Sequence, residues 1–145
     1  MIQLHDLPEI RIENLPIPED IEPDDSWPAS LIEMAKHIGP YAALLIADKF
    51  GGLDVYVPGD PERSPAYAVI GADKTEILCK IYGRESLAVP VASEALRQAR
   101  RRNVLRALQD RTISLTEAAY ILRTSRRYLL KLLDDFGPVL AAAPA

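Results

Sequence analysis

The 145-residue chain is 48% hydrophobic, 26% charged and only 6% aromatic, the balance of a globular protein with an aliphatic core rather than of a disordered one. Its longest apolar run, Tyr41 to Ala47, falls far short of the roughly 20 residues that span a bilayer; one cysteine excludes an intrachain disulfide, and two histidines argue against a zinc cluster. The net charge of −4 hides an asymmetry, with eight acids against one base in residues 1–28 and ten bases against two acids in residues 97–131, so a nucleic-acid partner stays open for the C-terminal third.

The chain opens with neither a basic nor an apolar leader region, so the expectation is a cytoplasmic protein without a membrane partner. Residues 1–28 hold five of the twelve prolines. Closely spaced proline blocks regular helix and the acids repel one another, which predicts an acidic arm, extended or partly disordered. Ile10, Ile12, Leu15, Ile17 and Ile21 can pin parts of it onto the folded body. The functional alternative is that the arm competes with DNA for the basic region.

From Ile38 the sequence repeats without a gap at an offset of 32 residues: IGPYAALLIADKFGGLDVYVP over 38–58, then IGADKTEILCKIYGRESLAVP over 70–90. Each copy reads as a helix, a glycine stop and a short strand ended by proline. Pro40 suits a first helical turn, Asp73 and Glu76 have capping-box spacing, and Gly51 and Gly83 fall where a helix end favours a left-handed residue. Leu53, Val55 and Val57 alternate with Asp54 and Tyr56 as in a half-buried strand. A short helix precedes each copy, over 29–38 and 65–70. A lone two-stranded ribbon is marginal, so the strands pair with each other or across a dimer. The repeat defines a candidate dimerisation domain, 29–92.

From Ser93 to residue 136 three helices are predicted. The first is basic and is broken at Asp110–Ser114. Ser114 and Glu117 then form a capping box that opens Leu115–Leu122, and Ser125 caps Arg126–Phe136, whose stripe is Leu129, Leu132, Leu133 and Phe136. Two helices joined by a short turn, basic on the second, outline a helix-turn-helix. Small Ala119 suits the crossing, and Arg123 stands where the turn often has glycine. The outward positions of the last helix are Ser125, Arg126, Arg127, Leu130 and Lys131, candidates for reading bases. Arg97, Arg100, Arg101, Arg102 and Arg123 suit phosphates. The bland reading of the segment is a solvated basic bundle that binds protein. Residues 137–145 form a tail.

GGLDVYVP, a second IG…YG…VP unit, ALRQARRRNVLRAL and SLTEAAYILRTSRRYLLKLL, in that order, resemble the Mor/C family of transcription activators of Mu-like phages over residues 29–136. The resemblance implies a homodimer that binds an inverted repeat through its helix-turn-helix units and activates promoters by contacting host RNA polymerase. It assigns a dimer and linker role to Gly51, Gly52, Val55, Tyr56, Val57 and Pro58, or to the second copy with Leu87 and Val89. The C-terminal part alone also looks like an excisionase or antitoxin helix-turn-helix, without the basic wing that usually follows.

An enzyme finds little support. Cys79 lies in an amphipathic helix with no histidine nearby and reads as a buried structural thiol. His37 suits a helix end, and the pairs Asp24/Asp25 and Asp134/Asp135 read as solvated acids. The glycines at 51, 52 and 59 form no phosphate loop. No metal, cofactor or small-molecule substrate is expected. The whole reads as mainly α with a minor β-ribbon: a repeat domain followed by a helix-turn-helix.

Overall fold

Glycine and proline set the first element boundaries in the computed structural model, which describes residues 11–136. Helix α1 (Ala29–Ile38) buries Leu31, Met34, Ala35 and Ile38 on one face. Gly39 ends it at φ 89°, ψ 156°, a region open almost only to glycine. Helix α2 (Pro40–Phe50) starts at once, with Pro40 in the first turn, where no N–H is required. Strand β1 (Asp54–Val57) follows.

The second copy repeats this path. The short helix expected over 65–70 is the first turn of α3 (Tyr67–Tyr82), which kinks at Gly71 with φ 84°, ψ 174° before running on to strand β2 (Glu85–Ala88). Gly71 therefore does what Gly39 does 32 residues earlier. Asp73 lies inside the second segment of α3 and is not its N-cap, a correction to the capping-box expectation. The left-handed expectation for Gly51 and Gly83 also needs correcting, since their φ values are −53° and −58°. Positive φ falls one residue later, at Gly52 (85°) and Arg84 (68°), as in a reverse turn whose second central residue is left-handed. Glycine is needed at 51 and 83 for a different reason: a Cβ there would collide with the carbonyl oxygen of Ala47 or Cys79.

The two strands pair with each other, antiparallel and within one chain, with Asp54 opposite Ala88, Val55 opposite Leu87, Tyr56 opposite Ser86 and Val57 opposite Glu85. Val55 and Leu87 are equivalent positions of the repeat, so the ladder is centred on a local twofold. The flanking hydrogen bonds obey the same symmetry. Gly52 N–H donates to Val89 O at 2.9 Å, and its repeat mate Arg84 N–H donates to Val57 O at 2.6 Å. Val57 and Val89 are buried, and Tyr56 is exposed. Leu53, placed on the inner face by alternation, is 56% exposed beyond the end of the ladder.

Residues 17–98 form one compact unit. Its core holds Leu31, Met34, Ile38, Leu44, Ile46, Val57 and Leu78, together with Ile17, Ile21 and Trp27 from the acidic segment. That segment is packed over 17–28, its apolar side chains entering the core beside turns closed by Ile21 N–H on Pro18 O and Trp27 N–H on Asp24 O. Residues 1–10 and the tail, 137–145, lie outside the described residues.

The described part of the second unit is 11–16 with 99–136, and the division falls within helix α4 (Ser93–Gln109). Helices α5 (Leu115–Leu122) and α6 (Arg126–Phe136) complete it. Val104, Leu105, Ile113, Ala118, Ala119, Ile121 and Leu129 form its core, with Leu15, Leu122, Leu132 and Leu133 packed against them. Among the described residues no helix is long and apolar enough to cross a membrane.

Candidate nucleic-acid interface

Local hydrogen bonds fix the ends of the helices that carry the candidate site. Ahead of α5 the capping box is complete: Glu117 N–H donates to Ser114 Oγ at 3.0 Å, and Ser114 N–H to Glu117 Oε1 at 2.9 Å. The helix closes on Arg123 at φ 54°, ψ 46°. Arg123 N–H reaches Tyr120 O and Thr124 N–H reaches Ala119 O at 3.0 Å, the pattern of a helix end closed by a left-handed residue. Arg111, at φ 62°, closes α4 in the same way, with Thr112 N–H on Ala107 O at 3.0 Å. Arginine therefore stands twice in this unit where glycine would be unstrained.

Ser125 starts α6 as the sequence leads one to expect, its Oγ accepting from Tyr128 N–H at 3.0 Å. Leu129 is fully buried and Leu132 and Leu133 are half-buried, so one stripe of α6 faces the core. Burying a leucine in this way contributes about 1.5–3 kcal/mol and fixes the rotation of the helix. Ser125, Arg126, Arg127, Leu130 and Lys131 all fall on the exposed side. Leu130 is 53% exposed, and with Arg127, Tyr128, Lys131 and Asp134 it lines a shallow recess. Tyr128 is 48% exposed; sequence reasoning missed it because it adjoins Leu129 and passes for part of the apolar stripe.

A second recess opens between the helices, lined by Thr116, Ala119, Tyr120, Arg123, Thr124 and Ser125. The Arg123 guanidinium lies over the Tyr120 ring, 4.4 Å from its centroid, and Nη1 donates to Tyr120 O at 3.0 Å. Tyr120, Thr116 and Thr124 carried no role in the sequence; the i, i+3 spacing of Tyr120 and Arg123 was the available signal.

The remaining candidate cations separate. Arg100 is only 8% exposed and its Nε donates to Leu15 O at 2.8 Å. Arg100, expected at phosphate from the sequence, lies on the inner side of α4 and holds the segment 11–16, as does Asn103, whose Nδ2 donates to Pro16 O at 2.6 Å. Arg101 is half-buried and Arg102 exposed. Arg97 belongs to the other unit, exposed and 3.2 Å from Glu94. Gly51, Gly52, Val55, Tyr56, Val57, Pro58, Leu87 and Val89 all lie in or beside the β1–β2 ladder of that unit.

Burial pushes the Cys79 thiol above its usual range, with Asp60 adding to the effect, so it stays protonated at neutral pH. His37 sits 3.6 Å from Glu33 and edge-on to Tyr82. Among the described residues no group of three or more His, Cys, Asp or Glu side chains could hold a metal ion. Comparison with protein-family models, curated proteins and solved structures finds no match to the chain.

Proposed function

We propose that the chain is a sequence-specific DNA-binding transcription regulator whose α5 and α6 act as a helix-turn-helix, with α6 in the major groove. One observation supports this most: α6 buries Leu129 completely and so turns Arg126, Arg127, Leu130 and Lys131 to solvent along its first half. Recognition helices present bases with those same outward positions.

Arg126 and Arg127 each carry a fork of N–H donors that matches guanine O6 and N7, worth about 1–3 kcal/mol of discrimination per good pair. Leu130 offers an apolar contact to a thymine methyl, and Lys131 a point charge. Arg101, Arg102 and Arg123 supply phosphate contacts, which add affinity and salt dependence but little sequence information. Ser125 orders the first turn through its cap.

The resemblance to the Mor/C family extends the proposal to a homodimer on an inverted repeat and to promoter activation through host RNA polymerase. Those two steps rest on the resemblance alone. Within one chain β1 and β2 pair with each other, so their ladder does not require a second copy. Selection of bound duplexes from a random library tests the proposal. A recovered motif that Arg126→Ala/Arg127→Ala loses supports it, and equal binding to all duplexes overturns the claim of specificity.

A further inference from the structure

We infer that Tyr120 is a positioning residue that presents the Arg123 guanidinium to a DNA backbone phosphate at the recess between α5 and α6, an inference that rests on the DNA-binding reading. Three observations meet here. The guanidinium carbon lies over the Tyr120 ring, 4.4 Å from the centroid, with Nη1 donating to Tyr120 O at 3.0 Å. That leaves other N–H donors of the planar fork for a ligand. The recess beside it is walled by the hydroxyl-bearing Thr116, Thr124 and Ser125, and among the described residues no carboxylate lines it. Arg123 also holds a left-handed backbone at φ 54°, where glycine would close the helix without strain.

The chemistry selects phosphate. A guanidinium edge beside neutral hydroxyl donors matches a tetrahedral oxyanion, and the open, shallow recess suits a group on a continuous backbone. An aromatic platform limits the rotamers Arg123 samples before binding, so less freedom is lost when the contact forms.

The test is titration of the 145-residue chain with a mixed-sequence DNA duplex across a salt series, for wild type, Arg123→Gly, Tyr120→Leu, Tyr120→Phe and the Arg123→Gly/Tyr120→Leu pair, with thermal midpoints alongside. Arg123→Gly removes one phosphate contact, so the slope of log K against log salt falls by about 0.9 and affinity at 0.1 M salt by about eightfold. Its thermal midpoint stays level or rises, because relief of the left-handed strain outweighs loss of the exposed stack. Tyr120→Leu keeps the charge, so the slope is unchanged while affinity falls about two- to fivefold. Tyr120→Phe keeps the ring and binds as wild type. The double variant matches Arg123→Gly alone, because Tyr120 acts through Arg123. Wild-type slope and affinity in Arg123→Gly, or Tyr120→Phe as weak as Tyr120→Leu, overturn the positioning role while leaving the DNA reading intact. A wild-type protein that binds no duplex overturns both.

Discussion

Replacing Gly71 by alanine isolates the energy of a single backbone conformation. At φ 84° and ψ 174° the residue kinks α3, and an added Cβ would meet no heavy atom within 4 Å. No packing term therefore enters. The conformation costs a non-glycine residue about 1–3 kcal/mol, offset by about 0.4–1 kcal/mol from the narrower unfolded ensemble of alanine, for a net loss centred on about 1.3 kcal/mol. Trp27, the sole tryptophan, is buried in the same unit, so its fluorescence in urea reports on that unit. With m near 1 kcal/mol/M the midpoint falls by roughly 1–2 M. Gly39→Ala, at the equivalent position with φ 89° and only an ordinary contact to Lys74 Nζ, loses the same amount to within about 0.5 kcal/mol. Gly83→Ala has an allowed φ but drives its Cβ into the Cys79 carbonyl, and loses more. A neutral Gly71→Ala, or a Gly39→Ala of very different cost, would refute the reasoning that the two glycines are equivalent joints of a repeated unit.

Val57 is 1% exposed and faces Glu85 across the ladder, so Val57→Asp buries an acid beside another and costs at least about 3 kcal/mol. Tryptophan-monitored urea denaturation measures it, and an unchanged midpoint contradicts the pairing. Arg100→Ala strands the Leu15 carbonyl and lowers stability by about 1.5–3 kcal/mol, whereas Arg126→Ala stays within about 0.5 kcal/mol; thermal melts of both variants distinguish a buried tie from a surface contact. Cys79 and Tyr82 both have raised pKa values, chiefly from burial. The unfolded chain then gives up these protons first, so the stability tied to them is complete below the usual values of 9.0 for Cys79 and 10.0 for Tyr82 and is lost as pH rises from there through the raised folded values. Urea midpoints between pH 7 and 10 check this, and a rise above pH 9 would contradict the sign.

Local signals were legible where one helix end decides the outcome. Ser114 with Glu117 and Ser125 with Tyr128 form the caps their spacing announces, because a cap involves only neighbours in sequence. The ungapped repeat was legible for the same reason, and its register follows once Val55 and Leu87 are paired. The glycines were half legible: their positions were right, but Gly51 and Gly83 answer a carbonyl oxygen a turn earlier, and Gly39 and Gly71 carry the unusual angles.

Long-range partners were hidden. Arg100 sits in a run of three arginines, and composition cannot tell that one points inward to Leu15. Nor does the sequence of the acidic segment say that residues 11–16 pack with the C-terminal unit while Ile17, Ile21 and Trp27 enter the other core. Tyr128 and Tyr120 were overlooked because a tyrosine on an amphipathic helix serves core and surface equally well, and only the solved rotation of α5 and α6 exposes both rings.

The most direct measurement is selection of bound duplexes from a random library by the 145-residue chain at about 150 mM salt, where exposed charges are screened beyond roughly 8 Å. Arg126→Ala/Arg127→Ala is run in parallel. The account predicts a defined motif for the wild type, arranged as a spaced inverted repeat if the protein binds as a dimer, and no motif for the double variant. A library that returns no motif for the wild type, or the same motif for both proteins, contradicts the claim that α6 reads DNA sequence.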